Sequence, residues 1–214
     1  RVRHSSSSSC DSGVLGDYCR CYRVIMMGPS CVGKTSIITQ LLDNQYSEQH
    51  TPTLQSMHSC EVETGAAQIT LTVEDTGGSF IQEFPAMAEV SLQHADGVIL
   101  VFSVDDEESF EHLSKLKDLI SSKHPSLPVV VVGNKTDKTR VLPMEEIEAT
   151  VCMDWECGYV ECSAKAKNNL EGVLRELANK ARVFSQVTSA ACPKRKFIKF
   201  IIPHKKKATL GTRP

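Results

Sequence analysis

The chain has 214 residues, 41% hydrophobic and 23% charged, enough for one compact domain with extra tail and close to ordinary globular usage. That composition excludes a collagen-like repeat, wholesale disorder and a disulfide-stapled miniprotein. The net charge of -2 conceals a division: Cys192–Pro214 carries eight Lys/Arg and no Asp/Glu, leaving 16 Lys/Arg against 26 Asp/Glu before it, which argues against nucleic acid as a partner of the body.

Residues 1–19, with the run Ser5–Ser9 and two glycines, Gly13 and Gly16, bury too little apolar surface to offset the entropy of ordering and read as a disordered lead. Tyr22–Met27 predicts a strand, and Ser36–Leu42 the start of a helix after a Gly-rich turn. Segments 56–63 and 67–74, the second alternating Ile69, Leu71 and Val73, flank Thr64-Gly65 as a hairpin. The unalternating runs Val98–Val104 and Leu127–Val132 suit strands covered on both faces. Between them 107–122 has helical periodicity through Phe110, Leu113, Leu116, Leu119 and Ile120. A helix near 143–154, a strand near 159–162 and a helix near 169–184 complete an α/β alternation, which implies a sheet with right-handed crossovers. The folded domain is expected over 20–185 and a basic, disordered tail over 186–214.

The sharpest chemical signal is Gly28-Pro29-Ser30-Cys31-Val32-Gly33-Lys34-Thr35, a G-x-x-x-x-G-K-[ST] loop between a predicted strand and a predicted helix. Gly28 and Gly33 let the backbone turn so that the N–H groups of the loop and of the helix start at Ser36 face a polyphosphate. Lys34 adds a point charge and Thr35 a hydroxyl for Mg²⁺. A second motif, Gly133-Asn134-Lys135-Thr136-Asp137, follows a buried strand at the edge where α/β sheets hold ligands. The Asp137 carboxylate can accept two N–H bonds from a guanine edge, a donor pair that adenine lacks, while Asn134 braces the loop and Lys135 covers the base. Glu161-Cys162-Ser163-Ala164-Lys165 is weak alone, but in this order it offers the Ala164 N–H and the Lys165 stem to the same base. Thr53, in a polar loop after the first helix, and Asp75-Thr76-Gly77-Gly78, at a strand end, are candidates to sense a third phosphate. Asp75 can hold a metal-bound water and Gly78 can donate its N–H. Taken singly, each of these two is more often an ordinary loop.

In this order the motifs resemble the Ras-like small GTPases over about residues 20–185. The resemblance implies a P-loop small GTPase fold, an α/β six-stranded mixed sheet flanked by helices, with GTP and GDP as ligands, Mg²⁺ as cofactor and switch loops around Thr53 and Asp75. It further implies a monomer that signals through effector, exchange-factor and activator proteins. Tyr46, seven residues before Thr53, matches the aromatic that packs against guanine in that family, and Phe84-Pro85-Ala86-Met87 resembles the dexamethasone-induced and Ras-dva branches. Two positions depart from the pattern. Ser79 stands where a Gln usually orients the attacking water, and Ser30, followed by Cys31, stands where the loop usually has a glycine and an arginine finger needs space. With catalysis resting on positioning, the set Lys34, Thr53, Gly78 and Ser79 is expected to hydrolyse GTP slowly and to respond poorly to activators. The rival reading is a persistently GTP-loaded interaction module with negligible hydrolysis, and an ATP-dependent P-loop enzyme is a third. Gln55 and Ser56 occupy positions where Ras has acidic residues, so its effectors are not carried over.

The tail Cys192–Lys207 sets Phe197, Ile198, Phe200, Ile201 and Ile202 among Lys/Arg clusters, a composition suited to an anionic membrane surface. A nuclear import signal and a plain solvated tail are the competing readings. The last four residues, Gly211-Thr212-Arg213-Pro214, do not form a CaaX prenylation signal, and Cys192 is a candidate for acylation. Nine scattered cysteines and the lack of a signal-peptide core point to a reducing, cytoplasmic setting, with the inner face of the plasma membrane as the expected site of the tail. The other thiols and the histidines have no spacing that singles out a metal or catalytic role.

Overall fold

The computed structural model describes residues 20–48, 52–64 and 67–180. The expected lead (1–19), tail (186–214, Cys192 included) and hairpin residue Gly65 lie outside the described residues.

The described strands are β1 (Arg20–Met27), β2 (Gln55–Thr64), β3 (Ala67–Thr76), β4 (Gly97–Ser103), β5 (Val129–Asn134) and β6 (Gly158–Glu161). They form one sheet in the order β2-β3-β1-β4-β5-β6. β2 runs antiparallel to β3, and the remaining pairs are parallel, so the sheet is mixed, as the resemblance implies. β4 and β5 are buried at every position, which is why their sequences run apolar without alternation.

The helices are α1 (Lys34–Leu42), α2 (Phe80–Glu83), α3 (Pro85–Gln93), α4 (Glu107–Lys123), α5 (Met144–Glu148) and α6 (Leu170–Lys180). Ile37, Ile38 and Leu41 of α1 share one core with Leu170, Val173, Leu174 and Leu177 of α6 and with Val24, Met26, Leu71 and Val73 of the sheet. On the other face Ala88 and Leu92 of α3, Leu113 and Ile120 of α4 and Ile147 of α5 pack on Ile25, Met27, Val98 and Val131. Each of these Val, Leu, Ile and Met side chains contributes about 1.5–3 kcal/mol by leaving water. α4 starts where Asp106 accepts from the Ser109 N–H, with Glu107 and Glu108 in its first turn and Lys123 in its last, all of which favour the helix dipole.

The helix expected near 143–154 divides. α5 ends at Glu148, and Ala149–Asp154 continues with wider π-type turns, closed by the Trp155 N–H on the Thr150 carbonyl at 3.0 Å. The turn leaves Trp155 stacked on Phe110, ring centroids 5.5 Å apart. α2 and α3 have no counterpart in the elements expected from the sequence. Their signal was Pro85 at a helix start, where the missing N–H costs nothing, followed by the buried set Ala88, Ser91 and Leu92 at helical spacing.

Candidate functional site

Because β1, β3, β4, β5 and β6 are parallel, their carboxyl ends meet at one edge of the sheet, where open α/β sheets bind ligands. The Gly28–Gly33 loop leaves β1 at that edge and enters α1. Gly33 has φ +93 and a Cβ there would lie 2.4 Å from Asn134 Nδ2; neither the conformation nor the space admits a side chain. α1 has no side-chain cap and no acidic residue in its first turn, so its first N–H groups and dipole are left for an anion. Val32 is buried, Ser30 and Cys31 are exposed, and Cys31 has φ 63.

Lys34 folds back over this loop. Its ammonium donates to the carbonyls of Gly28 at 2.8 Å and Pro29 at 2.7 Å, which leaves one of its three donors for another group. Burial lowers its pKa to about 8 against the opposing charges of Asp75 and Cys31. Such a buried cation gains from an anionic partner.

Thr35, Thr53 and Asp75 come together from α1, the loop before β2 and the end of β3. The Thr35 hydroxyl donates to Asp75 Oδ2 at 2.6 Å and lies 3.1 Å from Thr53 Oγ1. Asp75 Oδ1 is buried without a partner. Burial raises the Asp75 pKa, with the Thr35 hydrogen bond, Lys34 and His58 opposing, so a cation here would restore a carboxylate that the protein alone penalises. Oxygen-only donors of this kind suit a hard divalent cation such as Mg²⁺. Among the described residues no group of three His, Cys, Asp or Glu could hold a metal; here two hydroxyls stand beside one carboxylate.

Gly77 and Gly78 turn tightly past these residues. The Gly77 N–H donates to the Leu54 carbonyl at 2.9 Å, tying the Asp75 turn to the Thr53 loop. A Cβ on Gly78 would lie 2.4 Å from the Ser30 backbone nitrogen and 2.2 Å from Ser30 Oγ. Ser30 therefore fills the space beside Gly78. Ser79 donates its hydroxyl to Glu83 Oε1 at 2.6 Å at an exposed position. Glu83, four residues on at the end of α2, is a partner that the sequence reading missed.

The residues assigned to the base gather at the ends of β5 and β6. Asn134, 1% exposed, donates from Nδ2 to the Val32 carbonyl at 2.8 Å and accepts at Oδ1 from the Ala164 N–H at 3.1 Å. It thus ties the Gly28–Thr35 loop to the Ser163–Lys165 loop. The Ala164 N–H expected to face the base has this acceptor within the protein. Asp137 accepts from the Ser163 hydroxyl, which also accepts the Ala166 N–H at 2.9 Å, and the loop closes through reciprocal backbone bonds between Ser163 and Asn168. Lys165 pairs with Glu48 at 3.0 Å. The hydrogen bond to Glu48 raises the Lys165 pKa and that to Asp105 raises the Lys138 pKa, while Tyr46 is 40% exposed. Lys135, with φ 66, lies 3.9 Å from Asp105, to which Lys138 also pairs. Asp105 was also missed; its place just after a buried strand was the available signal. Burial raises the Cys162 thiol to about 12, which leaves it unreactive.

The model of the Ras family matches residues 23–183. Human GTP-binding protein Rhes is 32% identical over 182 residues, covering 79% of this chain and 68% of its own length. Human GTP-binding protein Di-Ras1 is 34% identical over 160 residues, 73% of this chain and 79% of its own, and rat GTP-binding protein Rit2 is 30% identical over 189 residues, 85% and 86%. With the loop, the mixed sheet and these matches in agreement, the chain belongs to the Ras family of small GTPases.

Proposed function

We propose that this chain is a guanine-nucleotide switch that binds GTP and GDP with Mg²⁺ and hydrolyses GTP slowly. The observation that carries the reading is Asn134, whose amide joins the Gly28–Thr35 loop to the loops of Asp137 and Ala164. Phosphate cradle and base reader then form one site. The Asp137 carboxylate selects guanine, Lys34 and the start of α1 hold phosphates, and Tyr46 and the stems of Lys135 and Lys165 enclose the base. Thr35, Thr53 and Asp75 would hold the cation, which neutralises charge on the phosphates when bound. Thr53 and Gly78 respond to the third phosphate and order both loops for an effector.

Slow turnover is supported at two points. Ser79 is short and engaged with Glu83, and Ser30 fills the space beside Gly78. Ras itself hydrolyses GTP at about 10⁻⁴ s⁻¹, and loss of an order of magnitude puts this chain near ~10⁻⁵ s⁻¹, a half-time of about a day. The same two residues favour the second reading, a persistently GTP-loaded interaction module. Chromatography of nucleotide released from freshly purified protein tests the first claim: GDP and GTP are expected, and recovery of ATP or ADP alone contradicts the role of Asp137. Single-turnover hydrolysis over days separates switch from module, since only the switch converts loaded GTP to GDP. The basic tail is proposed to hold the protein at the anionic inner face of the plasma membrane.

A further inference from the structure

β3 carries two adjacent carboxylates on opposite faces of the sheet. Asp75 follows Leu71 and Val73 on the α1 face and bonds Thr35. Glu74, 0% exposed, points to the face that α3 covers. Its Oε1 accepts two hydrogen bonds at once, from Gln55 Nε2 at 2.6 Å and from Ser91 Oγ at 2.7 Å. Its Oε2 faces Arg23 of β1 at 3.3 Å, and the Arg23 side chain is 39% exposed. Gln55 opens β2 two residues after Thr53, and Ser91, also buried, belongs to α3, which follows the Ser79 turn. One buried oxygen thus joins the chain leaving the first loop to the helix leaving the second. The role assigned to the neighbouring Asp75 does not use it.

The buried Glu74 carboxylate depends on donors from the protein, Ser91 from a buried position and Gln55 from an exposed one. Withdrawal of Gln55 weakens the environment that Ser91 shares, and the reverse holds equally. We propose that Glu74 is a positioning residue that couples the Thr53 loop to α3. A displacement at Thr53 is thereby carried to the outer surface of α3, where Met87 and Val90 are 49% and 56% exposed. The proposal rests on the guanine-nucleotide switch reading and assigns that switch an internal connection through this chain's own residues.

The test is hydrogen exchange on the full chain loaded with GDP or with a non-hydrolysable GTP analogue, following residues 52–57 and 85–93. In the wild-type protein both segments are expected to differ between the two nucleotides. In Glu74→Leu the difference over 52–57 remains, while that over 85–93 falls about fivefold or more, the lower range of typical coupling between sites. Glu74→Gln keeps an oxygen acceptor and retains most of the response. Arg23 reaches water, so the leucine variant has a route to folding. Should it not fold, Gln55→Ala, Ser91→Ala and their double variant decide: coupling through one oxygen makes the double variant lose no more of the α3 response than either single one. An unchanged α3 response in Glu74→Leu, or additive losses in the alanine pair, would overturn the proposal. So would wild-type protein that binds both nucleotides with identical exchange over 85–93, an outcome that leaves nucleotide binding intact. Failure to bind either nucleotide would remove both readings together.

Discussion

Raising the pH from 7 to 9 perturbs one group at the centre of the proposed phosphate site. Burial holds Lys34 at about 8 in the protein alone, below the ordinary lysine value near 10.4. The sign follows from proton counting. Between pH 8 and the unfolded value the unfolded chain holds the proton that the fold has shed, so this group makes the protein alone more stable as pH rises through that window. Nucleotide acts in the opposite direction. A bound phosphate favours the ammonium and lifts its pKa, so above pH 8 binding takes up a proton, and affinity declines as pH climbs. At pH 7 about nine-tenths of free sites are charged and at pH 9 about one-tenth, so the dissociation constant for GDP is expected to rise about tenfold over these two units. Fluorescence titration with a labelled GDP at half-unit steps, kept at or below pH 9 so that the guanine N1 retains most of its proton, measures the curve. Lys34→Met is expected to bind weakly and with little pH dependence. A flat wild-type curve, or an equal slope in Lys34→Met, would refute the assignment of the phosphate charge to Lys34.

Asp137→Asn is expected to weaken guanine nucleotides about a hundredfold, as loss of a charged acceptor pair requires, and to favour xanthine nucleotides. Its oxygen can still accept from Ser163, so the melting temperature serves as a control, and unchanged GDP affinity contradicts the base assignment. Ser79→Gln releases Glu83 and supplies an amide, and single-turnover GTP hydrolysis is expected to accelerate at least about tenfold; an unaltered rate removes the water-orienting argument. Deleting residues 193–207, which include seven Lys/Arg, is expected to abolish salt-sensitive sedimentation with anionic vesicles, each cation contributing about 1 kcal/mol at such a surface. Equal binding by both forms sinks the membrane role.

The strands and the long helix were legible because their signals are local. β4 and β5 are buried on both faces and show it as uninterrupted apolar runs, and α4 repeats its core residues at helical spacing between a capping Asp106 and a closing Lys123. α2 and α3 were less legible. Their buried set is short, Ser91 reads as polar until Glu74 is seen to receive its hydroxyl, and Phe84-Pro85 resembles a turn. The site divides in the same way. Gly28, Gly33, Lys34 and Asp137 belong to motifs with fixed spacing, and the bracing by Asn134 that the sequence predicts is present as two hydrogen bonds. Glu74, Gln55 and Ser91 are far apart in sequence and meet only because β2 pairs with β3 beneath α3.

That long-range origin matters for how the proposed switch works. On the proposed reading, Lys34 and Asp137 would govern whether a nucleotide is held, while Ser30 and Ser79 would bear on how long it stays a triphosphate. Neither pair touches Glu74, whose partners are Gln55, Ser91 and Arg23. Occupancy, lifetime and transmission would then reside in separate side chains. Under these two proposals, Ser79 and Ser30 would slow turnover and still leave a nucleotide-dependent change free to reach the surface, because the carboxylate on the α3 face of β3 contacts neither residue.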